Sequence, residues 1–201
     1  MTLDSMGTGW AGTDWAEAHW LNPPVRTRAD GSELIVEARE SSDFWRVTAY
    51  GFVHDDGHAL LRPFPDGSAV EVTFKLDFDR QFDQAGVLVR GDEEHWVKTG
   101  VEVSDGVPQL GAVVTHGRSD WSVAPVPGWS GRDVTVRVSR AGDALTVRAR
   151  SDAGSWQLVR VAPLPPGDPL AGPYCCAPTR AGLVVRFRSA VLTAADASLH
   201  P

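Results

Sequence analysis

The side chains best suited to chemistry lie on one face of a predicted β-strand, His95 to Val103. Successive side chains of an extended chain point to opposite faces, so Val97 and the alternate residues that follow it form one face, which is largely apolar. The other face carries Trp96, Lys98 and Glu102. An indole, an ammonium and a carboxylate offer stacking, charge and hydrogen bonds, which a site for a polar ligand requires. The strand therefore has one face for the core and one that displays functional groups.

The preceding predicted strand, Gln84 to Arg90, has the same alternation. Val87 belongs to the core face, which leaves Gln84 and Gly86 on the other side. If the two strands pair, Gln84 lies beside the functional face described above. A glycine within a strand either lets a ligand approach the backbone or marks a bulge or a point of sheet curvature. Both interpretations are open for Gly86 and Gly100.

Lys98 and Glu102 are too far apart to neutralise each other, because four residues of a strand span about 13 Å. Each must find a partner on a neighbouring strand, face water or face a ligand. Cross-strand ion pairs and contacts with a ligand are therefore both open. If burial lowers the pKa of Lys98, its amine gains the chemistry of a general base, or of an anion clamp in a lyase or isomerase.

A shorter stretch, Ser119 to Ser122, adds Asp120 and Trp121. Trp121, like Trp45 and Trp96, offers a flat face of the kind that stacks on sugar rings. Asp120 either caps a turn or points into the cleft. Because most Trp side chains of a β-sandwich are core residues, at least half of the eight in this chain are expected to be packing residues.

Two overlapping candidate sets result. The ligand-binding candidates are Gln84, Trp96, Lys98, Glu102, Asp120 and Trp121, and the catalytic candidates are Lys98, Glu102 and Asp120. Hydrolysis of a glycosidic bond needs two carboxyl groups about 5 to 10 Å apart, for which Asp83, Glu102 and Asp120 are available.

Neither a metal site nor a cofactor is expected. His54 and His58 flank Asp56-Gly57, a residue pair that favours tight turns, so they are interpreted as hairpin partners. Cys175 and Cys176 are adjacent, and neighbouring residues rarely reach disulfide geometry, so they are expected to be reduced and partly buried.

The composition narrows the class of protein. A net charge of −7 argues against binding to nucleic acid, which needs a positively charged surface. The sequence has neither a run of 18 apolar residues nor a basic and apolar leader, which predicts no membrane span and a cytoplasmic location. With 42% hydrophobic residues, 201 residues suffice for one core, so a single domain over 1–201 is predicted.

A period of two recurs along nearly the whole chain, with turn pairs such as Asp66-Gly67 and Asp105-Gly106 between the repeats. Many short strands of this kind predict an all-β fold of two packed antiparallel sheets. A helix is expected only at Asp14 to Leu21. The proline-rich stretch Pro163 to Pro178 is expected to cross the surface rather than enter a sheet.

Five motifs give the chain a family resemblance. They are DFWRVTAYGFVHDDGHALL (Asp43 to Leu61), QFDQAGVLVR (Gln81 to Arg90), HWVKTGVE (His95 to Glu102), SDWS (Ser119 to Ser122) and CCAPTRAGLVVRF (Cys175 to Phe187). Over roughly Leu21 to Leu192 the chain resembles the regulation-of-enolase-like family of domains of unknown function. The resemblance implies a concanavalin A-like lectin/glucanase β-sandwich, a jelly roll.

The combined expectation is a domain that binds a small polar or carbohydrate-type ligand on its concave sheet. One alternative is an enzyme, a hydrolase or lyase, that acts on a glycan or a sugar acid. The other is a regulatory protein that acts through protein contacts, as the family's name implies. The first alternative requires two converging catalytic groups, and the second requires an exposed apolar patch away from the cleft.

Overall fold

Two large antiparallel sheets form the protein in a computed structural model, which describes residues 15, 17–30 and 32–200. The front sheet contains, in spatial order, β1 (His19–Leu21), β6 (His58–Pro63), β15 (Leu170–Cys176), β8 (Gln84–Arg90), β9 (His95–Ser104), β10 (Val107–His116) and β11 (Arg118–Pro125). The back sheet contains β14 (Gln157–Pro163), β13 (Ala144–Ser151), β12 (Asp133–Ala141), β7 (Ser68–Lys75), β16 (Val184–Ala194), β3 (Glu33–Glu37) and β2 (Arg26–Asp30). A separate hairpin pairs β4 (Phe44–Arg46) with β5 (Val53–Asp55), and a short 3-10 helix covers Pro127–Trp129.

The main core lies between the two sheets. Val97 and Val101 of β9 belong to it, together with Val72 of β7 and Val136 of β12. Each lies on the core-facing side of its strand, as the alternation predicted. Burying a side chain of this size stabilises the fold by about 1.5 to 3 kcal/mol. The predicted all-β sandwich is confirmed.

A second apolar cluster covers the other face of the front sheet. It joins Phe44 and Trp45 of the hairpin to Leu88, Trp96 and Tyr174 of the sheet. The front sheet is therefore buried on both faces beneath the hairpin.

Charged contacts fasten the hairpin to the front sheet. Arg90 donates to both carboxylate oxygens of Asp55, at 2.5 and 2.7 Å, and Arg46 pairs with Glu94. The backbone N–H of Arg46 also donates to the Ser119 hydroxyl at 2.9 Å. A bidentate guanidinium–carboxylate pair fixes orientation as well as distance, so the hairpin has a defined position on the sheet.

Three sequence expectations about elements are wrong. The proline-rich stretch supplies β15, an interior strand, and Pro173 fits there because the pairing with β6 is interrupted at Gly172 and Pro173. Ser119 to Ser122 lies within β11, so Asp120 does not cap a turn. The described end of the expected helix, His19–Leu21, is β1, and Asp14 lies outside the described residues.

The hairpin interpretation of His54 and His58 is also wrong. His54 lies in β5, which pairs with β4, whereas His58 begins β6 in the front sheet. Asp56 and Gly57 instead donate their backbone N–H groups to the Asp43 carbonyl, at 3.1 and 2.9 Å. In the described part of the chain, no helix has the length and apolar character needed to cross a membrane.

Candidate functional site: a pocket between the hairpin and the front sheet

A pocket of about 320 Å³ lies where the hairpin meets the front sheet. Its volume falls at the lower end of the range for small-molecule sites. Aromatic and polar side chains share its wall. The lining residues are Ser41, Asp43, Trp45, Tyr50, Phe52, His54, Phe82, Gln84, Lys98, Glu102, Trp121, Pro178 and Thr179.

Four aromatic rings form one continuous wall of the pocket. The ring centroids of Trp121 and Trp45 are 6.4 Å apart with planes at 88°, and those of Trp45 and Tyr50 are 5.6 Å apart. Tyr50 then stacks on Phe52 at 5.3 Å with an interplanar angle of 9°. Trp45 is only 8% exposed, but Tyr50, Phe52 and Trp121 are 59%, 44% and 37% exposed. The wall therefore presents flat apolar surface to whatever enters.

The loop between β4 and β5, which carries Tyr50 and Phe52, has a strained backbone. Thr48 N–H donates to the Arg46 carbonyl at 2.7 Å, and Tyr50 N–H donates to the Thr48 carbonyl at 2.8 Å. These are two successive three-residue turns centred on Val47 and Ala49, whose φ angles are 62° and 63°. Positive φ is costly for a residue with a β-carbon, above all for a β-branched one. The Trp45 indole N–H bonds the Thr48 carbonyl at 2.9 Å and so ties the loop to the wall.

Positive φ angles concentrate around the pocket. Outside glycine, seven described residues have positive φ, and three of them are Asn or Asp, which tolerate it. The other four are Val47 and Ala49 of the loop, and Ser41 and Phe82, which line the pocket. Strain of this kind persists where the surrounding structure fixes it, and it clusters at ligand sites.

The polar side of the pocket has a pre-formed hydrogen-bond network centred on Lys98. Its ammonium donates to Asp43 Oδ1 at 2.7 Å and to Gln84 Oε1 at 2.8 Å. Gln84 Nε2 in turn donates to Asp43 Oδ1 at 3.3 Å, and the Phe44 N–H donates to the same oxygen at 2.7 Å. These partners hold Asp43, Gln84 and Lys98 in one arrangement.

Lys98 remains a cation in this network. Burial alone would lower the pKa of its ammonium, but the charges of Asp43 and Glu102 and the hydrogen bond to Asp43 raise it above the ordinary value. The condition under which Lys98 would act as a base, a pKa lowered by burial, is therefore not met. Its side chain is 3% exposed and paired, so it does not serve as an open anion clamp either.

Glu102 has the opposite character. Within the described residues its side chain makes no hydrogen bond or ion pair, and it lines the pocket. Burial raises the pKa of its carboxyl to about 7, against the weaker opposing effect of Lys98. Near neutral pH this carboxyl both donates and accepts hydrogen bonds, because it is partly protonated.

The rim of the pocket is anchored by an ion pair between a partly exposed arginine and a buried aspartate. Arg180 donates to Asp83 Oδ1 at 3.0 Å through Nε and to Oδ2 at 2.6 Å through Nη2. Asp83 is fully buried, and the Thr179 hydroxyl donates to the Gln81 carbonyl at 2.7 Å. Asp83, which the sequence offered as a glycosidase carboxyl, therefore lies outside the pocket and fixes the neighbouring Phe82 and Thr179.

The structure brings together four of the six predicted ligand-binding residues: Gln84, Lys98, Glu102 and Trp121 all line the pocket. Trp96 and Asp120 do not. The Trp96 side chain points to the predicted face of the sheet. However, Phe44 packs on it with ring centroids 5.9 Å apart, and Trp96 is fully buried. Asp120 is adjacent to Trp121 in β11 and so points to the other face, where it pairs with Arg160 at 3.2 Å.

Sequence reasoning missed Asp43, Tyr50 and Phe52. Asp43 lies 55 residues from Lys98 and reaches it only because the hairpin folds over the sheet. Tyr50 and Phe52 were hidden because the stretch from Trp45 to Tyr50 has the alternation of a strand, which in fact ends at Arg46. Their only signal was their place in the longest family motif.

The other predicted constellations are structural. His58 is buried; one ring nitrogen accepts the Arg39 N–H at 2.9 Å and the other donates to the Asn22 carbonyl at 2.7 Å. No group of three metal-ligating side chains occurs among residues the structure describes. Cys175 and Cys176 are free and fully buried on opposite faces of β15, one in each apolar cluster.

Comparison with known proteins places the chain in a family. The sequence profile described as "Protein of unknown function (DUF1349)" matches residues 20–195. The chain belongs to the DUF1349 family. This match covers the span from which the family resemblance was inferred.

A curated protein and a solved structure that are similar to this DUF1349 chain both come from Saccharomyces cerevisiae. "Regulation of enolase protein 1" is 40% identical over 183 residues, which are 90% of this chain and 92% of that protein. A crystal structure described as that of a functionally unknown protein superposes with a TM-score of 0.83 at 40% identity, covering 90% of this chain and 97% of the other. The resemblance to the regulation-of-enolase family is confirmed.

More distant structures show the fold alone. The xylan beta-1,4-xylosidase from Bacillus halodurans superposes with a TM-score of 0.61 at 14% identity, over 82% of this chain and 33% of that enzyme. The match covers one part of that longer chain, so it supports the two-sheet β-sandwich fold and carries no statement about activity.

Proposed function

We propose that this protein binds a neutral, polyhydroxylated ligand of the carbohydrate type in the pocket between the hairpin and the front sheet. The observation that carries the proposal is the pairing of the exposed aromatic wall with Glu102, a carboxyl without a protein partner. Flat apolar surface beside convergent hydrogen-bonding groups matches a sugar ring, which has apolar C–H faces and hydroxyls at its edge.

The charges favour a neutral ligand. Lys98 is compensated by Asp43 and bonded to Gln84, so an anionic ligand would have to displace these partners. A phosphate or carboxylate would also approach Asp43 and Glu102, which repel it when ionised. A hydroxyl both donates and accepts, so it matches Glu102 in either protonation state.

Binding measurements with defined saccharides test the proposal. Titration calorimetry would compare neutral sugars, including β-1,4-linked xylose oligomers suggested by the structural neighbours, with sugar phosphates and sugar acids. We expect neutral saccharides to bind and the anionic ones to bind at least tenfold more weakly. Glu102→Ala should weaken binding about tenfold, because it removes the partner of a ligand hydroxyl.

The control is Glu93→Ala, because Glu93 is an exposed acid that does not line the pocket. It should bind as the unmodified protein does. Tighter binding of sugar phosphates than of neutral sugars would refute the proposal, and so would the absence of saccharide binding at millimolar concentrations by folded protein.

An enzyme acting on a glycan is a second candidate, favoured by one observation. Glu102 has a pKa raised to about 7 and lies in the same pocket as a second carboxyl, that of Asp43. Acid–base pairs in active sites have such divergent environments. However, Asp43 Oδ1 already accepts three hydrogen bonds, which makes it a poor nucleophile. Chromatography of oligosaccharides after prolonged incubation would detect turnover, which Glu102→Gln should abolish.

Action through protein contacts, the remaining hypothesis, has less support. It predicts an exposed apolar patch away from the cleft. Four of the eleven exposed large apolar side chains among the described residues lie at the cleft: Tyr50, Phe52 and Trp121 line the pocket, and Val123 lines a shallow depression that shares Trp121 with it. Most of the others are distributed over β14, β16 and the ends of the described chain.

A further inference from the structure

Three glycines form a row across the front sheet next to the pocket. Gly86 of β8 lies opposite Gly100 of β9, which lies opposite Gly111 of β10. A Cβ at Gly100 would lie 2.1 Å from the Ala85 carbonyl oxygen, and one at Gly111 would lie 2.1 Å from that of Ser122. The strands therefore approach too closely for side chains at these positions, and all three glycines are buried. Neither Gly86 nor Gly100 lines the pocket itself.

A shallow depression lies over two of these glycines, Gly100 and Gly111, and it shares Lys98, Glu102 and Trp121 with the pocket. Since three side chains belong to both walls, the depression and the pocket are continuous. The depression encloses only about 10 Å³, so a ring would lie on it rather than inside it.

The depression leads to an open edge of the sheet. β11 is the last strand of the front sheet, and Trp121 and Val123 on it are 37% and 40% exposed. Val123 lies opposite Gly111, and its Cγ1 would be 2.7 Å from a Cβ at that glycine, so its side chain leans over the glycine row. From β9 to β11 the distance is two strand spacings, about 10 Å.

We infer that the ligand is a linear neutral oligosaccharide with at least two rings, rather than a single sugar. One ring occupies the pocket against the aromatic wall, and the next lies against the exposed side chains of Trp121 and Val123, above Gly100 and Gly111. The chain then leaves over the edge at β11. This inference rests on the proposed function and specifies its ligand class.

A chain-length series tests the inference on the full-length protein. The probes are xylose, xylobiose and xylotetraose, with glucose, cellobiose and cellotetraose as the second series, and calorimetry measures each Kd. We expect at least one tetrasaccharide to bind about tenfold more tightly than its monosaccharide. Val123→Arg should remove this gain while leaving monosaccharide binding unchanged, because Val123 lines only the depression.

The matched control is Val191→Arg. Val191 is 37% exposed but lies in β16 of the back sheet, so its replacement should change neither Kd. Val123→Glu repeats the block with the opposite charge, and thermal unfolding confirms that each variant is folded. Equal binding of monosaccharide and tetrasaccharide, or a tetrasaccharide Kd unaffected by both Val123 variants, would refute the extended site alone. If no probe of either series binds, the proposed function fails as well.

Discussion

Replacing Lys98 with Met separates structural from ligand-facing roles in the pocket. The variant keeps the aliphatic stem but removes an ammonium that is 3% exposed and makes bonds of 2.7 and 2.8 Å to Asp43 and Gln84. Both partners then remain largely buried without their donor, since the Asp43 side chain is 17% exposed and Gln84 is 1% exposed. Removing one partner of such a pair lowers the free energy of unfolding by about 3 to 5 kcal/mol. Because the variant no longer has to bury an ammonium, we expect the lower end of this range, about 3 kcal/mol.

Urea unfolding followed by circular dichroism at pH 7.5 measures this free energy. The thermal midpoint of a chain of this size should fall by about 6 to 12 °C for the same change. The double variant Lys98→Met/Asp43→Asn should be more stable than the sum of the single changes predicts, because it no longer buries an unpaired carboxylate.

The other lysine in the chain provides the control. Lys75 lies on the back sheet, is 29% exposed and is 3.9 Å from Asp133, so Lys75→Met should change stability by less than about 0.5 kcal/mol. If Lys98→Met costs under about 1 kcal/mol, or no more than Lys75→Met, the ammonium is not a structural centre of the pocket.

Burial raises the pKa of Glu102 from 4.5 to about 7, so folding binds a proton between these values. The stabilisation from this proton is complete below pH 4.5 and is lost as the pH rises through 7, by at most about 3 kcal/mol. Glu102→Gln should remove this slope from the pH dependence of the free energy of urea unfolding. An unchanged slope would contradict the raised pKa of Glu102. Burial lowers the pKa of His58, although its bond to the Asn22 carbonyl acts in the other direction. His58 should therefore destabilise the folded state as the pH falls below about 6.5, where only the unfolded chain gains the proton, and the same titration of His58→Asn should lack that component. Gly100→Ala places a Cβ 2.1 Å from the Ala85 carbonyl oxygen and should cost more than about 2 kcal/mol. Gly128→Ala, which has open space, should stay within about 0.5 kcal/mol, and equal effects in thermal unfolding would oppose the close-approach argument.

Strand parity was the most informative signal in the sequence. It predicted that Gln84 and Lys98 share a face, and the register pairs Gln84 with Glu102 and Leu88 with Lys98. The prediction succeeded because the two-residue period is a local property of an extended chain. Parity was not applied to Asp120 and Trp121, which were both candidates for one ligand site. Adjacent residues of a strand cannot both face one pocket.

Other features depended on distant parts of the chain. Trp96 has the right facing, yet Phe44 covers it, and Phe44 lies 52 positions earlier in the sequence. The interior strand β15 contradicts the usual avoidance of proline, and the chain tolerates Pro173 only because the pairing with β6 is interrupted there.

The amino-acid sequence by itself determined the sandwich, the facing of β8 and β9, and the polar groups that they display, because alternation and turn chemistry act over a few residues. Tertiary structure alone decided that Asp43 neutralises Lys98, that Glu102 is left without a partner, and that Tyr50 and Phe52 complete an aromatic wall. These three outcomes require the hairpin to lie on the front sheet. Its position is set by ion pairs such as Arg90–Asp55 between residues 35 positions apart, which no local pattern encodes.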